Sequence, residues 1–281
     1  MREKIGISLV LVGLGLLSPT AAAAYTINLD TEYVPEAGHF EIIERLNYAS
    51  VNKRTVNGIE EAGYLAGGSN LHLEMGVGNG NSLSVCFPYL FKKTGDKQGF
   101  GMGDTSIGFS KQVVALPSGG MKSRIRLAMP GSYGLNSYGL GLDNSFTMPL
   151  GSPQFLMSTN LNYYYPLKKG VSTEGALDQY AFLGDRLFYG LGFEYWVSPN
   201  LTLSLESFGA YQGISRVDEA PWPSADGKSS WNNVFSVAPG LTLALGSSFA
   251  LQGSFVLPMM RSGDAGGSPA YSALISTLLD F

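Results

Sequence analysis

Charge is scarce in this chain. Asp, Glu, Lys and Arg make up 14% of its 281 residues, against about 25% in an ordinary soluble domain. That argues against a cytosolic enzyme. The formal net charge is −4 and neither sign gathers in a tail, so nothing supports nucleic-acid binding. Cysteine is rarer still, since Cys86 stands alone. One thiol makes no intrachain disulfide, which excludes a small stapled secreted domain. Past residue 24 the chain also lacks any apolar run near the ~20 residues of a membrane-spanning helix. Yet 44% of the residues are hydrophobic, too many for a disordered chain.

Glycine and aromatic residues are plentiful. There are 37 Gly, 15 Tyr, 15 Phe and 3 Trp. The one apolar run lies at the start. Arg2 and Lys4 precede an apolar stretch from Ile5 to Leu17, Ser18-Pro19-Thr20 breaks it, and Ala21–Ala24 offers a small-residue cleavage site. This reads as a secretory signal peptide over residues 1–24. The stretch is too short to span about 30 Å of hydrocarbon. With no cysteine near the cleavage site, a lipid anchor is excluded.

From about residue 38 the pattern has period two. Short runs are bounded by Gly, Asn, Ser and Pro, which is the signature of strands and turns. Leu83, Val85, Phe87, Tyr89 and Phe91 alternate with Ser82, Ser84, Cys86 and Pro88. Leu187, Tyr189, Leu191, Phe193 and Tyr195 form a second such row, and Tyr271 to Phe281 a third. The runs predict strands at about 38–50, 68–77, 81–91, 103–115, 121–129, 138–148, 153–165, 181–197, 201–211, 231–244, 248–258 and 270–281. Odd-numbered connections are then long and even-numbered ones short. A soluble β-sandwich alternates too, but nothing requires its loops to alternate in length. The expectation is all-β: a transmembrane antiparallel β-barrel of about twelve strands over residues 38–281, with short periplasmic turns and long outer loops. Tyr48, Tyr89, Tyr163, Tyr165, Tyr195, Trp231 and Phe281 suit its interfacial girdles. Two charges fall on the outward parity. Glu44 predicts a bulge in the first strand or a different boundary for it, and Lys111 predicts snorkelling near the periplasmic edge. A strand ending on Phe281 resembles the terminal signal read by the barrel assembly machinery.

Residues 71–115 carry a further likeness. Leu71 to Val77 lead into Gly78-Asn79-Gly80-Asn81, then Leu83 to Tyr89 with Pro88-Tyr89 at the end, then Gly101-Met102-Gly103-Asp104. Val237 to Leu241 and Phe255 to Pro258 follow near the terminal Phe281. This order resembles the meta-pathway phenol-degradation family of outer-membrane transporter-like proteins. The resemblance implies an outer-membrane barrel that passes hydrophobic or aromatic compounds.

Catalytic chemistry finds little support. Outer-membrane lipases use a Ser beside a His, often two residues on, but His39 and His72 are followed by Phe40-Glu41 and Leu73-Glu74. The rest of the acid set that barrel proteases need is absent. A three-residue tip at Gly78–Gly80 sets His72 opposite Cys86 and Glu74 opposite Ser84, and a polar wall patch explains these better than a metal site does. Gly101-x-Gly103-Asp104 precedes a strand, not a helix, so it is no phosphate loop; Asp104 caps backbone N–H groups or pairs across the wall. No metal and no cofactor is expected.

The inward parity predicts the residues that face the lumen. They are Glu41, Arg45, His72, Glu74, Asp104, Lys122, Arg124, Arg126, Asp143, Arg186, Glu194 and Glu206, with the aromatics Tyr164, Phe188, Trp196 and Phe208. Asp143 is expected opposite Arg126. The row Lys122, Arg124, Arg126 is either a basic ladder that guides an anion or part of a set of wall ion pairs; acids about as numerous as bases favour pairs. Lys122 is expected to remain free near the periplasmic mouth. Residues 25–37, acidic at Asp30, Glu32 and Glu36, form a leader or a plug within the lumen. Pro221-Trp222-Pro223 marks an outer loop that covers the barrel or faces a ligand. With no nucleotide-binding motif, transport is expected to be passive. The expected partners are outer-membrane lipid, the assembly machinery through Phe281, and a small solute. The competing reading is a non-conducting structural or surface-interaction barrel.

Overall fold

A computed structural model describes residues 33–281 except 52–53, 57–58, 62–63, 95–96, 117–118, 132–137, 168, 172–178, 183–184, 214–215, 218–219, 222–231 and 264–270. The expected signal peptide, residues 25–32, Trp222, Pro223 and Trp231 lie outside the described residues.

Twelve strands close a ring. They are β1 (Phe40–Val51), β2 (Tyr64–Gly78), β3 (Asn81–Thr94), β4 (Thr105–Leu116, with an upper piece Lys97–Met102), β5 (Gly119–Met129) and β6 (Gly139–Pro149). The second half is β7 (Phe155–Pro166), β8 (Arg186–Ser198), β9 (Leu201–Gln212), β10 (Asn232–Ala244), β11 (Phe249–Gly263) and β12 (Tyr271–Asp280). Each strand pairs antiparallel with its neighbours in sequence, and β1 pairs with both β2 and β12. The seam is complete at its last residue: Phe40 and Phe281 exchange N–H···O bonds of 2.9 and 3.0 Å. Closure leaves no strand edge bare, which a sheet in lipid requires.

The inner and outer faces invert the usual globular order. Outward positions are apolar and exposed, as in Leu83, Phe87 and Tyr89 of β3, Leu140 and Leu142 of β6, and Leu203 and Leu205 of β9. The buried residues are mainly Ser, Thr, Asn, Glu, Lys and Asp. Tyr48, Tyr89, Tyr163, Tyr165, Tyr195 and Phe281 all lie exposed on the outer face.

One end carries short turns. The clearest is Asn79-Gly80, where positive φ at both residues (54° and 67°) gives the twist of a two-residue hairpin turn. A bulge between Gly76 and Gly78 takes up the residue that the three-residue tip would have held, so His72 still pairs with Cys86 and Glu74 with Ser84. The other end carries the longer connections, several of which hold short strands of their own. Residues 97–102 of the expected third loop are strand, paired with Tyr89–Thr94. β4 is broken only at Gly103–Asp104, opposite Pro88, which has no N–H to give; Gly103 N–H still donates to the Pro88 carbonyl at 2.8 Å.

β1 has no bulge at Glu44. Its ladders to β2 and β12 run unbroken, and Glu44 stays on the exposed face, where it accepts a 3.1 Å hydrogen bond from Ser69 Oγ. A hydroxyl on the neighbouring strand, not a change of face, accommodates this carboxylate. Lys111 is exposed beside the short-turn end, opposite Asn81.

Candidate functional site

The interior divides into three levels. At the short-turn end, Glu41 of β1 pairs across the ladder with Glu74 of β2 and with Asp280 of β12. Glu41 and Glu74 are buried. Bare neighbouring carboxylates would be costly in such a place, and the structure supplies partners. Glu74 accepts a hydrogen bond from Ser82 Oγ. His72 Nε2 stands 3.2 Å from Glu74 Oε2, and Lys122 Nζ stands 3.7 Å from the same oxygen.

The segment Tyr33–Ala37 runs inside this end. Ala37 forms a parallel bridge with Gly76, and Gly38 N–H donates to the Gly76 carbonyl at 3.0 Å. A side chain at position 76 would collide with this segment, since its Cβ would lie 2.0 Å from the Glu36 carbonyl oxygen. Tyr33 hydroxyl reaches Asp280 Oδ2 at 3.4 Å. Burial and the carboxylates of Asp280 and Glu41 push the Tyr33 hydroxyl well above its ordinary pKa. Lys122 Nζ donates to the Tyr33 carbonyl at 2.9 Å and is almost fully buried. Lys122 is therefore not the free charge the sequence pattern predicts; a segment 89 residues distant in sequence covers it. That contact uses a backbone carbonyl, not one of the segment's carboxylates.

Midway up, β1–β7 enclose a cavity of about 180 Å³, with Arg45, Arg124 and Arg126 in its wall. Asp143 lies opposite Arg124, not opposite Arg126 as expected, and Arg126 faces Gly141. Asp143 nevertheless holds both: Arg124 Nε donates to Oδ2 at 2.9 Å, and Arg126 donates through Nε and Nη2, each at 3.1 Å. Absent side chains on neighbouring positions make the room. A Cβ at Gly141 would lie 3.0 Å from Arg126 Nε, and one at Gly108 would meet Ser84 Oγ at 2.6 Å and Arg124 Cδ at 3.0 Å. Cys86 Sγ donates to Asn70 Oδ1 at 2.7 Å in the same cavity. Among the described residues no three His, Cys, Asp or Glu side chains converge as metal ligands.

Toward the other end the wall is partly aromatic. Tyr164 is buried flat against Gly139, whose Cβ would fall 2.0 Å from its hydroxyl oxygen. Arg126 lies over the Tyr164 ring at 5.8 Å, within the range of a cation–π contact. Arg186 pairs with Tyr164 across the ladder. Phe188 and Phe208 contact at 5.6 Å between centroids. Asp104 Oδ1 accepts the Gly131 N–H at 2.9 Å, so it caps backbone as one of the two expected roles has it. Glu194 and Glu206 are fully buried on β8 and β9, and neither is without a partner. Trp196 stands apart, near the short-turn end of β8, its Nε1 buried without a hydrogen-bond acceptor.

Sequence reasoning missed Ile43, Asn70 and Asn162, which also border the cavity. Their inward parity was readable; they carry no charge or ring and so drew no notice. It also missed Tyr33, for which no periodic signal exists.

Solved structures share this architecture, two of them as follows. The COG4313 outer membrane channel from Pseudomonas putida F1 matches with a TM-score of 0.69 at 13% identity, over 94% of this chain and 100% of that one. The NanC porin matches with a TM-score of 0.51 at 9% identity, over 84% of this chain and 98% of that one. At such identities the likeness is one of fold. No family model and no curated protein matches the sequence.

Proposed function

We propose that this chain is a passive outer-membrane channel for small hydrophobic or aromatic compounds. The observation that carries the reading is the inverted wall, apolar outside and polar inside, in a closed barrel. Its fold is shared with an outer membrane channel along the full length of that chain. The short turns and both ends of the strand series then face the periplasm. Phe281, bonded to Phe40 and half exposed, is the element offered to the assembly machinery. The aromatic wall of Tyr164, Phe188 and Phe208 favours an aromatic solute. The sequence resemblance to phenol-degradation transporter-like proteins points the same way. Within the expected leader 25–37, residues 33–37 act as a plug, because Tyr33 is fastened to the inner wall at Lys122 and Ala37 and Gly38 at Gly76.

That fastening also favours the competing reading, a non-conducting structural barrel. Uptake separates the two. Cells with the gene deleted should take up labelled benzyl alcohol more slowly at low external concentration, and a plasmid copy should restore the rate. Equal rates with and without the protein would favour the structural barrel.

A further inference from the structure

We propose that the mid-barrel cavity is a binding site for a small organic carboxylate. This deepens the channel reading, on which it rests for the route by which the ligand arrives. The cavity wall holds three guanidinium groups, Arg45, Arg124 and Arg126, and a single carboxylate, Asp143. Asp143 joins Arg124 and Arg126 and leaves positive charge in excess. His72, the remaining titratable cation of the wall, stands 3.2 Å from Glu74, which is outside the cavity lining.

Arg45 is the unbalanced member. It projects from β1, on the far side of β2–β4 from the Arg124–Asp143–Arg126 group on β5 and β6. Its Nε is buried with no hydrogen-bond acceptor. A buried guanidinium N–H without an acceptor is costly, and a bound anion removes that cost. All three guanidinium groups line the same cavity as Cys86, so their fields converge inside it. Asn70, paired with Arg45 across the ladder, uses its carbonyl oxygen on the Cys86 thiol and leaves its amide N–H groups to donate. Guanidinium and amide donors aimed at one space form a carboxylate cradle, and the planar fork of Arg suits bidentate carboxylate recognition.

The volume limits the ligand. About 180 Å³ is well below the ~300–1,000 Å³ of drug-sized pockets, so one small acid fills it. Benzoate is the natural probe.

Calorimetry on the purified, detergent-solubilised protein tests this without requiring transport. Benzoate should bind saturably and at least tenfold more tightly than benzyl alcohol, its neutral counterpart. Arg45→Met should cost tenfold or more in benzoate affinity, and Arg45→Lys should recover part of it. The lone thiol gives a second readout on the unaltered chain: a sulfonate-bearing methanethiosulfonate should modify Cys86 faster than its trimethylammonium analogue, and benzoate should slow it. Absence of saturable benzoate binding, equal affinity for benzyl alcohol, or displacement by equimolar chloride would overturn the proposal. A barrel that binds benzoate but passes no current would keep the site and refute the channel. A conducting barrel indifferent to benzoate would do the reverse.

Discussion

Asp143 holds the charge pattern of the inner wall together. It binds Arg124 and Arg126 at 2.9 and 3.1 Å and is 4% exposed, while Arg126 is 30% exposed. Asp143→Asn should therefore destabilise the barrel by roughly 3 kcal/mol, the low end for a broken buried pair. It should also take this carboxylate away from the Arg124 and Arg126 guanidinium groups. The thermal midpoint of barrel opening checks the first effect. The reversal potential in a KCl gradient checks the second and should move toward chloride selectivity. An unchanged potential would mean that these charges do not face the ion path. Gly139 makes a separate claim. Gly139→Ala puts a methyl group against the Tyr164 ring and should cost about 1–3 kcal/mol by overpacking. Adding Tyr164→Ala should recover most of that loss, and failure to do so would contradict the packing of Tyr164 on Gly139. At this scale the sequence was readable up to the choice of face. Period two assigns Arg124, Arg126 and Asp143 to the interior because parity is a local property. Register is not local. Which arginine meets Asp143 depends on the connection 130–138, whose length alone does not determine the offset. The covering of Lys122 was invisible for a stronger reason: its acceptor, the Tyr33 carbonyl, belongs to a segment without periodicity.

Among the elements, strand extents were legible where turn residues bound them and illegible where they do not. Asn79-Gly80 announces its hairpin. Residues 97–102 lack the apolar beat of a lipid-facing strand and read as loop, yet they pair with β3, because extending an existing ladder satisfies backbone groups whatever the side chains are. Glu44 misled in the opposite direction. The pattern argued for a bulge, and a Ser69 hydroxyl on the adjoining strand made one unnecessary. The segment 33–37 yields the prediction proper to this scale. Gly76→Leu should keep the segment from seating, since the Pro35 and Glu36 carbonyl oxygens lie 2.2 and 2.0 Å from the position of a Cβ. Conductance should rise several-fold while the heat-induced mobility shift of a folded barrel is retained. Lys122→Met, which loses the bond to Tyr33, should act in the same direction and less strongly. Unchanged conductance in both variants would contradict the plug.

For the whole molecule, the sparse charge and the absence of a long apolar run have one cause. Hydrophobic residues are dealt singly along twelve strands, and a closed ladder lets each strand satisfy its backbone without water. The few charges that remain on the strands lie mostly inside, in pairs such as Lys122–Glu74 and Arg126–Asp143. A channel requires that this interior conduct. Reconstitution of the purified protein into planar bilayers tests it most directly. We expect discrete, small, voltage-stable conductance steps that grow when residues 25–37 are removed. A folded barrel that leaves the bilayer closed, with and without those residues, would contradict the channel.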